Sequence, residues 1–92
     1  MIKTANKNAR EYVENLIEFQ GSNTFSKKKG EYYIVYSYGT HWILYLYTGR
    51  DWYACDEKRS SSTSKHLSQL RPGATIKEYL NQSQLQQLIY GT

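Results

Sequence analysis

The chain has few of the residues that mark secreted or membrane-spanning proteins. Cys55 is its only cysteine, so no internal disulfide can form, and a reducing compartment is expected. Pro72 is its only proline, and no stretch has the composition of a linker. No apolar run approaches the roughly 20 residues of a membrane span. Met1 is followed by no apolar leader, so a cytoplasmic protein that does not enter a membrane is expected. The His, Cys, Asp and Glu residues show no metal-ligand spacing, and the Gly-Lys-Ser/Thr ending of a Walker loop is missing. Neither a metal nor a cofactor is therefore expected.

What remains is the composition of a small globular protein. The length of 92 residues suits a single domain, 1–92, with one core. A hydrophobic fraction of 39% is too high for a disordered chain. The net charge of +4 suits a partner that carries phosphates or an acidic surface, without choosing between them. Tyrosine is the anomaly, at ten residues beside two tryptophans. Each tyrosine joins a flat apolar ring to a polar tip, which suits both cores and interfaces.

The spacing of Ala9, Tyr12, Val13, Leu16 and Ile17 predicts an N-terminal helix with one apolar stripe, capped by Thr4, Asn6 or Asn8 and stopped at Gly21. Ser22 to Gly30 reads as a loop with a short edge strand around Thr24 to Ser26. Lys27, Lys28 and Lys29 then read as a solvated loop or a protected sheet edge rather than a phosphate clamp.

Two β-rich runs, Glu31 to Tyr38 and His41 to Thr48, flank Gly39-Thr40, the signature of a two-residue hairpin. That turn predicts the pairs Tyr38–His41, Ser37–Trp42, Tyr36–Ile43, Val35–Leu44, Ile34–Tyr45, Tyr33–Leu46 and Tyr32–Tyr47. A third strand, Trp52 to Cys55, is expected to pair Tyr47 with Trp52. One face would then carry Tyr33, Val35, Trp42, Leu44, Leu46, Tyr53 and Cys55 against the helix. The other would carry Tyr32, Ile34, Tyr36, Tyr38, His41, Ile43, Tyr45, Tyr47 and Trp52. That second face is either a packed surface, covered by later chain or a second copy, or a stacking platform for flat groups. Ala74 to Leu80 reads as a last strand, and Asn81 or Ser83 caps a short C-terminal helix bearing Leu85, Leu88 and Ile89 and ending at Gly91. The expected fold is α+β: an antiparallel sheet of three to five strands packed on the N-terminal helix, with a short C-terminal helix.

The segment from Arg59 to Pro72 holds five serines, a threonine, a histidine and three permanent cations in fourteen residues. Hydroxyls, guanidinium forks and an ammonium are what a phosphate needs. The same residues also suit a solvated capping loop. Candidate ligand contacts are Arg59, Thr63, Ser64, Lys65, His66, Ser68, Gln69 and Arg71, with Tyr36, Tyr38, Thr40, His41 and Tyr45 from the aromatic face.

Tyr36-Ser37-Tyr38-Gly39-Thr40-His41-Trp42, Thr63-Ser64-Lys65-His66 and Ser68-Gln69-Leu70-Arg71-Pro72, with the opening Asn8-Ala9-Arg10-Glu11-Tyr12-Val13, resemble a small domain of unknown function widespread in bacteriophages and plasmids. Ile43 stands where that domain carries a proline. The resemblance implies a mobile-element accessory protein acting in the host cytoplasm, and ties the hairpin end to the basic segment. It supplies no activity.

Three classes of function follow. Non-catalytic binding of a phosphate-bearing nucleotide, such as a host immune signalling nucleotide, fits the aromatic face and the basic segment together. A protein-directed inhibitor of a host defence nuclease, of the anti-CRISPR or anti-restriction type, would use the tyrosines as interface anchors. Its basic charge argues against mimicry of DNA. A single-stranded nucleic-acid module, or a metal-independent phosphodiesterase using His41 and His66, completes the set. No nucleophile motif supports catalysis, and an enzyme is the less favoured expectation. A homodimer would hide the uncovered aromatic face.

Overall fold

The computed structural model describes residues 2–5, 8–21, 23–37, 42–56, 66–67 and 70–91. Among them, seven strands form one mixed sheet: β1 (Ile2–Lys3), β2 (Phe19–Gln20), β3 (Thr24–Lys29), β4 (Tyr32–Ser37), β5 (Trp42–Tyr47), β6 (Trp52–Cys55) and β7 (Ile76–Leu80). Helix α1 (Arg10–Glu14) lies between β1 and β2, and α2 (Gln82–Tyr90) follows β7. The strands lie in chain order across the sheet.

The fold is α+β, but the sheet exceeds the expected three to five antiparallel strands. β2 to β6 form an antiparallel meander, while β1 joins β2, and β7 joins β6, in parallel. A parallel join needs a crossover rather than a tight turn. The α1 segment supplies one crossover, and the chain between β6 and β7 supplies the other. Ala9 and Val13 from the first, and Leu70 from the second, bury in the same cluster as Tyr33, Val35, Tyr45 and Trp52. Ala9, Val13 and Leu70 therefore pack on one face of the sheet, while Leu67 packs against both clusters. The opposite face carries Ile34, Tyr36, Ile43, Leu46 and Cys55, covered by Leu85 and Ile89 of α2.

The expected N-terminal helix is not the first element, because β1 precedes it, and α1 has only five residues. It stops at Leu16, which takes φ 57°. The Ile17 N–H donates to the Tyr12 carbonyl at 2.8 Å and the Leu16 N–H to the Val13 carbonyl at 3.2 Å. This is the helix stop that glycine usually occupies, here built on leucine. The Tyr33 hydroxyl donates to the Ile17 carbonyl at 2.7 Å, and the Phe19 N–H donates to the Ser26 hydroxyl at 3.0 Å. These contacts draw the chain out of the helix and into β2.

Of the two readings of the lysine run, the structure takes the one in the sheet rather than the loop. All six residues of β3 pair with β4, from Thr24–Ser37 to Lys29–Tyr32, across a turn in which Gly30 takes φ 61°. The β4–β5 register follows the sequence reading at Ser37–Trp42 and Tyr36–Ile43, and then slips. Val35 meets Tyr45, Ile34 meets Leu46 and Tyr33 meets Tyr47, because a bulge leaves Leu44 as an extra residue. A one-residue slip moves every later side chain to the other face. Tyr45, Tyr47 and Trp52 consequently join Tyr33 on the α1 face, and Leu46 and Cys55 join Ile34 beneath α2. The Tyr47–Trp52 pair forms as expected. The aromatic platform does not form as one surface, since its rings divide between the two faces.

The C-terminal helix closely follows its sequence. The Asn81 side chain accepts from the Gln84 N–H at 2.8 Å, and the Gln84 side chain accepts from the Asn81 N–H at 3.0 Å, a reciprocal cap. Gly91 ends the helix at φ 65°.

Candidate functional site

The segment after β6 is tied to the sheet at two places. Ser37 Oγ and His66 Nδ1 lie 2.9 Å apart in a buried contact, and the Tyr45 hydroxyl donates to the Leu67 carbonyl at 2.5 Å. Leu70 is wholly buried and Pro72 is buried too, while Arg71 between them is exposed. Two buried neighbours thus hold the base of the arginine while its guanidinium reaches solvent. It stands near enough to Tyr45 to act on that hydroxyl electrostatically.

A cleft of about 170 Å³ opens here, lined by Tyr45, Ala54, Cys55, Leu67, Arg71 and Tyr79. Tyr79 arrives on β7, paired in parallel with Ala54, and is 53% exposed. Burial pushes the Tyr45 hydroxyl up to about 12, against the opposing pull of Arg71 and Arg10. It is therefore a neutral phenol at ordinary pH. Arg10 is engaged with Glu14 at 2.9 Å, whereas no carboxylate is bonded to Arg71 among the described residues. The cleft is smaller than the roughly 300–1,000 Å³ of a pocket that encloses a drug-sized ligand. It has room for an anionic group beside Arg71, with a flat ring lying outside against Tyr79.

The sequence candidates are distributed as follows. Tyr45 and Arg71 come together. Tyr36 lies on the opposite face, stacked on Phe25 at 5.0 Å between ring centroids, its hydroxyl bonded to Tyr90 and driven upward in pKa chiefly by burial. His66 is buried, with its Nδ1 2.9 Å from Ser37 Oγ. Tyr38, Thr40, His41, Arg59, Thr63, Ser64, Lys65, Ser68 and Gln69 lie outside the described residues. The sequence reading missed Tyr79 and Leu67. Tyr79 reaches the cleft only because β7 runs parallel to β6, which no local pattern announces. Among the described residues no cluster of His, Cys, Asp and Glu could hold a metal ion, and no helix is long and apolar enough to cross a membrane.

No family model matches the chain, and no curated protein or solved structure matches it.

Proposed function

We propose that the protein binds a phosphate-bearing nucleotide without transforming it, at the Tyr45–Arg71–Tyr79 cleft. The observation that supports this reading most is the pairing of an exposed arginine with an exposed tyrosine ring across a small concave surface. Arg71 would fork onto phosphate oxygens, and Tyr79 would stack on the base. The burial of His66 against Ser37 favours binding over cleavage, since a general acid or base must reach its substrate. In a phage or plasmid accessory protein of the kind the motifs resemble, such a site would sequester a host immune signalling nucleotide.

A thermal-shift screen with mono-, di- and cyclic nucleotides tests this. A ligand that binds only the folded state at 100 times its Kd stabilises by about 2.7 kcal/mol. If no nucleotide moves the midpoint at millimolar concentration, the reading fails.

A second reading, a protein-directed inhibitor of a host nuclease, draws support from β7. That strand has no neighbour on its outer side among the described residues, and Tyr79 and Leu88 are exposed beside it. An open strand edge can pair with another chain, either a host protein or a second copy. Co-purification of a host nuclease, in the absence of any nucleotide response, would favour it.

A further inference from the structure

α2 packs chiefly on β5 and β6, and among the described residues no helix covers the β1–β3 half of that sheet face. The register places Lys3, Gln20, Phe25, Lys27 and Lys29 together on this open half, since Lys3 pairs with Gln20, Gln20 with Phe25, and Phe25, Lys27 and Lys29 alternate along β3. All three lysines are exposed, and Phe25 is partly so. Tyr90, the last residue of α2, reaches back to this surface. Its hydroxyl meets Tyr36, its ring lies 4.2 Å beneath Lys29 Nζ, and it is 58% exposed.

Opposite charge is scarce here. β1 to β6 and α2 contain no acidic residue. The closest carboxylate in the chain register is Glu18, which accepts from the Lys28 N–H at 2.7 Å, so one acidic side chain borders the three lysines, and Glu31 sits in the β3–β4 turn. Lys27 and Lys29 are two residues apart on one strand, so their stems start about 7 Å apart, and β1 lies two strands away, on the order of 10 Å. The result is a group of cations beside one exposed ring, Tyr90, and the partly buried ring of Phe25. That combination suits a polyanion whose flat groups are free to stack.

We propose that this half-face binds a single strand of nucleic acid, with Lys3, Lys27 and Lys29 on successive phosphates and Tyr90, seconded by Phe25, against bases. A duplex keeps its bases stacked internally, and an acidic peptide has none to offer. The Lys29–Tyr90 contact holds one ammonium and one ring in place before the strand arrives. This surface lies on the face opposite Arg71, so it is independent of the nucleotide cleft.

The test is fluorescence anisotropy with a labelled oligothymidylate of about 15 nucleotides, across a salt series. Each phosphate contact on a single strand contributes about −0.7 to the slope of log K against log salt, so three lysines give a slope near −2. The double variant Lys27→Gln/Lys29→Gln should bind at least tenfold more weakly at low salt, with a slope near −0.7. Lys3→Gln alone should lower the slope by about 0.7. Arg50→Gln/Lys77→Gln removes the same charge elsewhere and should bind within twofold of the parent. Tyr90→Ala should lose roughly tenfold with the slope unchanged. Absence of binding by the parent protein at micromolar concentration overturns the proposal. So does equal loss in the two double variants, or competition by polyglutamate as effective as that by the unlabelled strand. Arg71→Ala should leave strand binding intact.

Discussion

The side-chain amide of Gln82 pairs with the backbone of Ile43 as a neighbouring strand would, accepting from its N–H at 2.8 Å and donating to its carbonyl at 2.7 Å. β6 ends at Cys55, and the Asp56 N–H turns away to the Leu80 carbonyl. No β6 residue is left to pair with Ile43, so α2 supplies an amide instead. The same Nε2 lies 3.1 Å from Cys55 Sγ, which seats the helix at the corner of the sheet.

Replacing Gln82 with leucine should therefore cost more than its volume suggests. It leaves a buried donor and a buried acceptor unpaired, at roughly 1–3 kcal/mol each. A total of about 3 kcal/mol would lower the midpoint of a domain this size by roughly 12–24 °C. Chemical denaturation of the variant measures it. A loss below about 1 kcal/mol would show that water replaces the amide.

Leu16 should be unusually sensitive to β-branching. Its φ of 57° is uncomfortable for any L side chain and worse for a branched one. Leu16→Val should destabilise by about 1–2 kcal/mol, while Leu16→Met should stay within about 0.5 kcal/mol. Equal midpoints for the two variants in urea would remove the backbone argument.

Alkaline pH should unfold the protein through its buried phenols. Burial raises Tyr33 and Tyr45 to about 12, from 10.0, and raises Tyr36 as well. The folded state holds these protons more tightly than the unfolded state does. Their stabilisation is complete below about pH 10 and is lost as pH rises through 12. A shift of this size is on the order of 2–3 kcal/mol per group. The urea midpoint should fall steeply between pH 10 and 12, and Tyr45→Phe should lessen the slope while lowering the neutral-pH midpoint, because the Leu67 carbonyl loses its donor.

The legible parts of the fold were those with a local chemical marker. Asn81, Gln84 and Gly91 announce both ends of α2. The pairs Ser37–Trp42 and Tyr36–Ile43 form in the register read from Gly39-Thr40, a turn that itself lies outside the described residues. The bulge at Leu44 had no marker, because β5 is apolar at every position, from Trp42 to Tyr47. With both faces buried, alternation carries no register signal. The stop at Leu16 is written in leucine where glycine is expected, and Lys27 to Lys29 suit a solvated loop as well as a protected sheet edge, so composition did not choose the strand they occupy. At the cleft, Arg71 and Tyr45 stood among the candidates by residue type, and their neighbour Tyr79 did not. A parallel crossover sets that proximity, and Tyr36 parts from Tyr45 for the reason already seen at the bulge.

Arg71 and Tyr79 should separate from the scaffold in their effects. Both are exposed, so Arg71→Ala and Tyr79→Ala should leave the thermal midpoint within a few degrees of the parent. Loss of a charge-assisted bond costs roughly 1.5–3 kcal/mol, so Arg71→Ala should weaken nucleotide affinity about ten- to a hundredfold. Arg71→Lys should recover only part of this, since an ammonium lacks the planar fork that meets two phosphate oxygens. Tyr79→Phe should bind as the parent does, because stacking uses the ring, while Tyr79→Ala should lose about tenfold. His66→Gln should instead lower the midpoint, because it disturbs a buried contact with Ser37. Isothermal titration beside thermal melts reads both quantities. A His66 variant that melts normally but fails to bind would move the site from the cleft to the buried histidine and refute the arrangement proposed here.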